Sequence, residues 1–306
     1  MRIAIVGAGA LGGAFGAGFI RAGHDVTLIE VSEPLVDALN ANGLTLVDGD
    51  ERSTVQARAT TDASSVEAPD LIMVFVKAYN TEDAAKMIRP ILGPDTVLAT
   101  LQNGLGAGDV LAAGCPDAQI VYGVTYHAAT MLEPGVVRHT AGPTFVGPRD
   151  GPDVGGAQRV ADACVDAGWP AQAISDVAPA VWKKLLLNCT NAVAALTGMN
   201  GAAQVADAGV QQLVHDVMAE TIVVAHALGH TGLELEACVR DMREVLARAG
   251  AGRASMLQDF DAGRRTEIDA LNGAVVRAAE GLSIGVPINQ TLYSLVKGWE
   301  RTHGYG

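Results

Sequence analysis

Positive charge, aromatic rings and cysteine are all scarce in this chain. Lysine and arginine number 21 against 34 aspartate and glutamate, a formal net charge of −13 at pH 7. A surface of that sign repels a phosphate backbone and an anionic bilayer, which argues against nucleic acid and membrane as partners. Aromatics make up 4% of the residues, so a core of alanine, valine and leucine is expected. The four cysteines, Cys115, Cys164, Cys189 and Cys238, show no C-x-x-C spacing and read as buried thiols. His226 and His230 have a metal-ligand separation on one helical face, but no third ligand lies near them and no metal site is expected. Charge is missing altogether from Ile3 to Ile20, a run long enough to resemble a membrane span or signal peptide. Its six glycines are wasted in either role. A cytoplasmic protein is the expectation.

Those glycines fit a nucleotide loop instead. Arg2 to Val6 reads as a short buried strand, and Gly7-Ala8-Gly9-Ala10-Leu11-Gly12 then gives G-x-G-x-x-G as a helix opens. Gly7 permits the tight turn, Gly9 the approach of a pyrophosphate to the main chain, and Gly12 the packing of helix on strand. Free amides at the helix start hold the phosphates. Gly16 and Gly18 are left for close helix packing.

A second strand, Asp25 to Ile29, ends at Glu30, where an acid accepts hydrogen bonds from both adenosine ribose hydroxyls of NAD. At ~5 Å and an effective dielectric of ~20, each unit of like charge on a 2′-phosphate costs roughly 3 kcal/mol before screening. Val31, Ser32 and Glu33 follow, with no arginine to offset this. The residues therefore point to NAD rather than NADP, the alternative being a Glu30 that merely faces solvent.

Further on, Leu44–Val47 and Val55–Thr60 have the pattern of a hairpin, a local decoration. The apolar run Asp70–Val76 reads as a central parallel strand that delivers Lys77, and Thr96–Leu101 delivers Gln102-Asn103-Gly104. Ligands of open parallel sheets lie beyond the carboxyl ends of strands, which places Lys77 and Asn103 beside a dinucleotide. A solvated lysine and an Asn-Gly turn are the plainer readings. His127, at the end of another strand, is either an acid/base group or a histidine satisfied in place. Val136–His139 and Thr144–Val146 look antiparallel. From Ala178 every strong segment is helical. Lys184, Asn188 and Asn191 stand at i, i+4 and i+7 of a helix spanning 178–196, one polar stripe facing solvent or a cleft. Thr266-Glu-Ile-Asp269 has capping-box spacing, which puts Glu267 in the first turn of a helix. The fold class is α/β: an N-terminal Rossmann dinucleotide-binding domain over 1–175 and an all-helical C-terminal domain over 176–306.

The blocks G-A-G-A-L-G (7–12), V-K-A (76–78), Q-N-G (102–104), W-K-K-L-L-L-N-C (182–189), and S-M-L-Q-D followed by T-E-I-D-A-L-N-G (255–273) together resemble the ketopantoate reductase, or 2-dehydropantoate 2-reductase, family. The resemblance covers almost the whole chain. It implies an active-site cleft between the two domains, with Lys77, Asn103 and Ala129 contacting the cofactor and Lys184 as general acid. It also implies substrate contacts from Asn188, Asn191, Asn200 and Ser255, a Glu267 that meets both cofactor and lysine, and a homodimer. Three positions depart from the family pattern. Val31 replaces an NADP-selecting arginine, Ala192 stands where the helix motif usually has its second asparagine, and Gly252 replaces a polar group near Ser255. The expected partner is a small 2-keto or 2-hydroxy acid, ketopantoate first; the alternatives are another 2-hydroxy acid and a dinucleotide-binding sensor without turnover.

Overall fold

The computed structural model describes residues 1–305. Contacts divide the chain into two compact units: Met1–Gln102 with Ala107–Val177, and Asn103–Gly106 with the chain from Ala178 onward. The segment 103–106 thus belongs to the second unit, although it lies far inside the first in sequence.

The first unit contains twelve strands and five α-helices. The strands are β1 (Arg2–Val6), β2 (Asp25–Ile29), β3 (Leu44–Asp48), β4 (Glu51–Val55), β5 (Ala59–Thr60) and β6 (Leu71–Val74). They continue as β7 (Val97–Thr100), β8 (Gln119–Thr125), β9 (Ala128–Glu133), β10 (Val136–Thr140), β11 (Thr144–Pro148) and β12 (Ala171–Ala173). The helices are α1 (Ala10–Arg21), α2 (Glu33–Asn42), α3 (Thr81–Ile88), α4 (Ala107–Gly114) and α5 (Gly155–Asp166). An eight-stranded sheet runs β12-β11-β8-β7-β6-β1-β2-β5, parallel except where β11 meets β8. Its middle strands are buried along their length, as β6 and β7 show, which is why they read as unbroken apolar runs. This is the Rossmann half of a mixed α/β fold.

Two expectations are corrected here. The expected hairpin has its second strand at Glu51–Val55 rather than over 55–60, and it is no decoration: β3 pairs in parallel with β10, which pairs antiparallel with β9, giving a second sheet of order β4-β3-β10-β9. Leu44, Leu46 and Val137 are buried where this sheet meets α1. Second, β10 and β11 do not pair with each other, because each finds a partner in a different sheet. His127 belongs to the core of this unit. Its Nδ1 lies 2.8 Å from His139 Nε2, and its ring packs among Phe15 and Trp169. Gly18 lies under the Trp169 ring, so the glycine-rich face of α1 is used for close packing.

The second unit is helical: α6 (Ala178–Cys189), α7 (Asn191–Thr197), α8 (Gly201–Ala206), α9 (Ala208–Ala227), α10 (Leu235–Ala249), α11 (Ser255–Asp261), α12 (Asn272–Leu282) and α13 (Pro287–Thr302). The long α9 contributes Val214, Val217, Met218, Val224 and Ala225 to the core and packs against α6, α10, α12 and α13. The helix expected over 178–196 is broken at Thr190. The Thr190 hydroxyl donates to the Leu187 carbonyl at 2.7 Å, competing with the backbone ladder, and a new helix starts at Asn191. Glu267 is not in a helix: it sits at a bend, 268–271 form turns, and α12 begins only at Asn272. The capping box fails since Thr266 gives its N–H to Glu300, while Asp269 binds Tyr293 and Lys297. His226 meets the Leu233 carbonyl and His230 packs on Trp182. No helix among the described residues is long and apolar enough to cross a membrane.

Candidate active site

In the first unit the glycine loop joins β1 to α1 as its spacing predicts. Gly7 has φ +91°, and a Cβ there would come within 2.9 Å of the Val76 amide nitrogen. A Cβ on Gly12 would run into the Gly7 carbonyl oxygen, so this glycine is fixed by loop-to-helix packing. Gly9 differs: a Cβ there would meet no protein atom within 4 Å. Nothing in the fold forbids a side chain at Gly9, whereas a phosphate on the main chain of the helix start would. The residues present therefore fit a dinucleotide. Between these, Ala8 is buried, and Ala10 and Leu11 form the first turn of α1. Gly12→Ala is expected to abolish nucleotide binding or unfold the loop; fluorescence titration with NADH and a thermal melt distinguish the two.

Glu30 is more constrained than its sequence position implies. Its carboxylate accepts the Ala8 N–H at 2.9 Å and the Ser32 N–H at 3.1 Å, so it braces the glycine loop from the end of β2. Neighbouring Val31 is 72% exposed and offers no positive charge. Lys77 follows β6 and opens a single 3-10 turn over Ala78–Asn80. Ala129 stands on β9 opposite His139, in the second sheet.

In the second unit α6 supplies Lys184 and Asn188 one turn apart. Burial draws the Lys184 ammonium down to about 8 from its ordinary 10.5, and the negative charge of Glu267 acts in the opposite direction. Asn188 Nδ2 donates to Asn103 Oδ1 at 3.2 Å. Asn103 is held close to the Glu267 turn because Leu105 donates its N–H to the Ala270 carbonyl at 3.0 Å and Gly104, with φ +89°, has that same carbonyl where a Cβ would lie. Asn191 Nδ2 reaches Ser255 Oγ at 3.5 Å despite the broken helix. Ala192, in contrast, is fully buried in the helical core and presents no group to a ligand. Asn200 caps α8, its Oδ1 accepting the Ala203 N–H at 3.0 Å.

Sequence reasoning missed what holds Glu267. Glu300, buried on α13, accepts the Thr266 N–H at 2.9 Å and its hydroxyl at 2.7 Å, and is itself paired with Lys297 at 2.8 Å. Thr266 is thereby fixed beside Glu267. No local pattern flags Glu300, which sits in an ordinary amphipathic helix.

Two family models match the chain, "Ketopantoate reductase PanE/ApbA" over residues 3–151 and its C-terminal counterpart over 176–300. The chain belongs to the ketopantoate reductase family. It is an oxidoreductase acting on CH–OH groups, moving hydride between a nicotinamide cofactor and a small 2-keto or 2-hydroxy acid. A 2-dehydropantoate 2-reductase of Halobacterium salinarum is 36% identical over 301 residues, covering 97% of this chain and 98% of the relative. One from Archaeoglobus fulgidus is 34% identical, with 98% of each chain covered. Among solved structures, a PanE/ApbA family ketopantoate reductase from Ralstonia eutropha superposes with TM-score 0.90 at 34% identity, over 99% of this chain and 100% of that one. D-mandelate dehydrogenase with NADH and anilino(oxo)acetate superposes with TM-score 0.93 at 26% identity, again over 99% and 100%.

Proposed function

We propose that the chain is an NADH-preferring reductase of 2-dehydropantoate, with Lys184 as its general acid. The observation that carries this is the α6 pair of Lys184 and Asn188, one turn apart, with Asn188 bonded to Asn103 and the charge of the buried Glu267 acting on the lysine. A bound nicotinamide dinucleotide supplies the hydride. As negative charge grows on the substrate's carbonyl oxygen, the Lys184 ammonium stabilises it and gives up its proton there. Glu267 keeps that ammonium charged against the pull of burial and fixes its direction. Asn188 and Asn103, already bonded to each other, present amide groups to the substrate, and the Asn191–Ser255 pair takes its remaining oxygens. Gly7 to Gly12 hold the pyrophosphate, Glu30 the adenosine ribose, Lys77 and Asn103 the nicotinamide end, and the Ala129 main chain a further part of the cofactor. We leave Asn200 outside the substrate set, since its cap on α8 accounts for it.

A second reading is an NAD-dependent dehydrogenase of a different 2-hydroxy acid. Ala192 favours it, since the resemblance implies an asparagine at this place and a buried alanine offers no group to a substrate, and the likeness to a D-mandelate dehydrogenase bound to NADH agrees. A panel of 2-keto acids and their 2-hydroxy partners, assayed by NADH and NADPH absorbance, tests both. Ketopantoate with NADH is expected to give the highest kcat/KM. Faster turnover of a bulkier acid selects the second reading, and binding of NADH without turnover of any member leaves a sensor. Four free, buried thiols suit a reducing, cytoplasmic setting, and the family supports a homodimer.

A further inference from the structure

Gln102 is absorbed by neither half of the proposed chemistry, yet its side chain makes three hydrogen bonds at the edge of the first unit. Its Nε2 donates to the Val76 carbonyl at 2.7 Å and to Thr81 Oγ1 at 2.8 Å, while its Oε1 accepts the Thr100 hydroxyl at 2.8 Å. The Val76 carbonyl can only accept, so the orientation of the amide is determined. Thr81, almost completely buried, passes the connection on: its hydroxyl donates to the Ala78 carbonyl at 2.8 Å. Both carbonyls that flank Lys77 in the chain, Val76 before it and Ala78 after it, are therefore tied to one side chain. Lys77 itself is braced from a third direction, its carbonyl accepting the Asn80 N–H at 2.8 Å.

A loop that leaves a parallel strand needs such a support. β6 ends at Val74, α3 starts only at Thr81, and the six residues between make one short 3-10 turn. Backbone of that kind has few ladder bonds to hold its direction, and small displacements of a group that meets reactants are costly in rate. Thr100 lies at the end of β7, the strand beside β6, so the sheet itself anchors the support.

We propose that Gln102 is a positioning residue that fixes the Lys77 segment by bonding the Val76 carbonyl before it directly and the Ala78 carbonyl after it through the Thr81 hydroxyl. This rests on the reading that Lys77 meets the cofactor. Gln102→Met keeps the bulk of the side chain and removes all three bonds; Gln102→Glu keeps the acceptor for Thr100 and sets a carboxylate against the Val76 carbonyl. Both are expected to lose about 10–100-fold in kcat, the glutamate variant more. Affinity for ADP-ribose, measured by calorimetry, should stay within about twofold, because the glycine loop and Glu30 are untouched. Thr81→Val breaks only the branch to Ala78 and should lose less than Gln102→Met, which keeps the test open should the latter fold poorly. The deciding comparison is Lys77→Ala with Lys77→Ala/Gln102→Met. If Gln102 acts through Lys77, the double variant has the kcat of Lys77→Ala alone. Losses that multiply, or a Gln102→Met enzyme with wild-type kcat, overturn the proposal. A Lys77→Ala enzyme with wild-type kcat overturns instead the reading of Lys77, and the proposal with it.

Discussion

Lys184→Met is expected to lower kcat for keto-acid reduction by at least ~100-fold, the range in which general acids contribute, while KM for the dinucleotide changes little. Methionine keeps all but the terminal atom's length of the side chain and removes both the charge and the proton, so the loss falls on the step in which the oxygen gains an electron pair. The pH dependence follows from the same amine. Burial sets its titration at about 8, so the fraction carrying a proton falls as pH rises through that value. Reduction, which needs the ammonium, should decline above about 8. Oxidation, which needs the free amine to take a proton, should rise over the same interval. Lys184→Arg separates charge from proton transfer, because guanidinium holds its proton beyond pH 12. It should retain part of the stabilisation and lose the break in the profile. A wild-type profile flat from pH 7 to 9, or a Lys184→Met enzyme of undiminished kcat, would remove this residue from the mechanism.

The parts of this site that could be read from sequence are those whose geometry is local. The glycine loop is legible because Gly12 answers to atoms within a dozen residues and Gly7 to the chain just beyond β6, while Gly9, which no protein atom crowds, is left for the expected pyrophosphate. Lys184 and Asn188 are legible because one turn of an unbroken helix relates them. Asn191 marks the limit: its place seven residues after the lysine presupposes a continuous helix, and the Thr190 hydroxyl interrupts it. That Asn191 nevertheless reaches Ser255 depends on α7 packing against α11, which spacing along one helix does not encode. The partner of the hairpin β3–β4 is hidden from sequence for a related reason. Thr45 pairs with Val136, and alternation of apolar residues shows that a strand has a buried face without showing what buries it. Glu267 and Glu300 lie on different elements, and only the folded second unit brings Thr266 to the α13 carboxylate. Motif spacing found the groups expected to touch reactants, then, and tertiary structure supplied those that hold them.

Glu30→Ala is expected to narrow the proposed preference for NADH over NADPH by about two orders of magnitude. A like charge ~5 Å away at an effective dielectric of ~20 costs roughly 3 kcal/mol, and every 1.4 kcal/mol is about a factor of ten. In a flexible acid much of that cost is avoided by rotation away from the 2′-phosphate. Glu30 has less freedom, since the Ala8 and Ser32 amides hold both its oxygens, and leaving Ala8 would strand a part-buried donor at the nucleotide loop. The same bonds complicate the alanine variant. It relieves the repulsion but also removes the brace on Ala8, so NADH affinity should fall as NADPH affinity rises. Glu30→Gln separates the two effects, because it keeps one acceptor for an amide and carries no charge. If repulsion sets the preference, Gln should recover most of the gain for NADPH with a smaller loss for NADH than Ala. If bracing of the loop is the larger effect, Gln should bind both dinucleotides nearly as the wild type does. Ratios of kcat/KM for the two cofactors in the three enzymes decide between them, and a wild type that already favours NADPH refutes the assignment of NAD at its root.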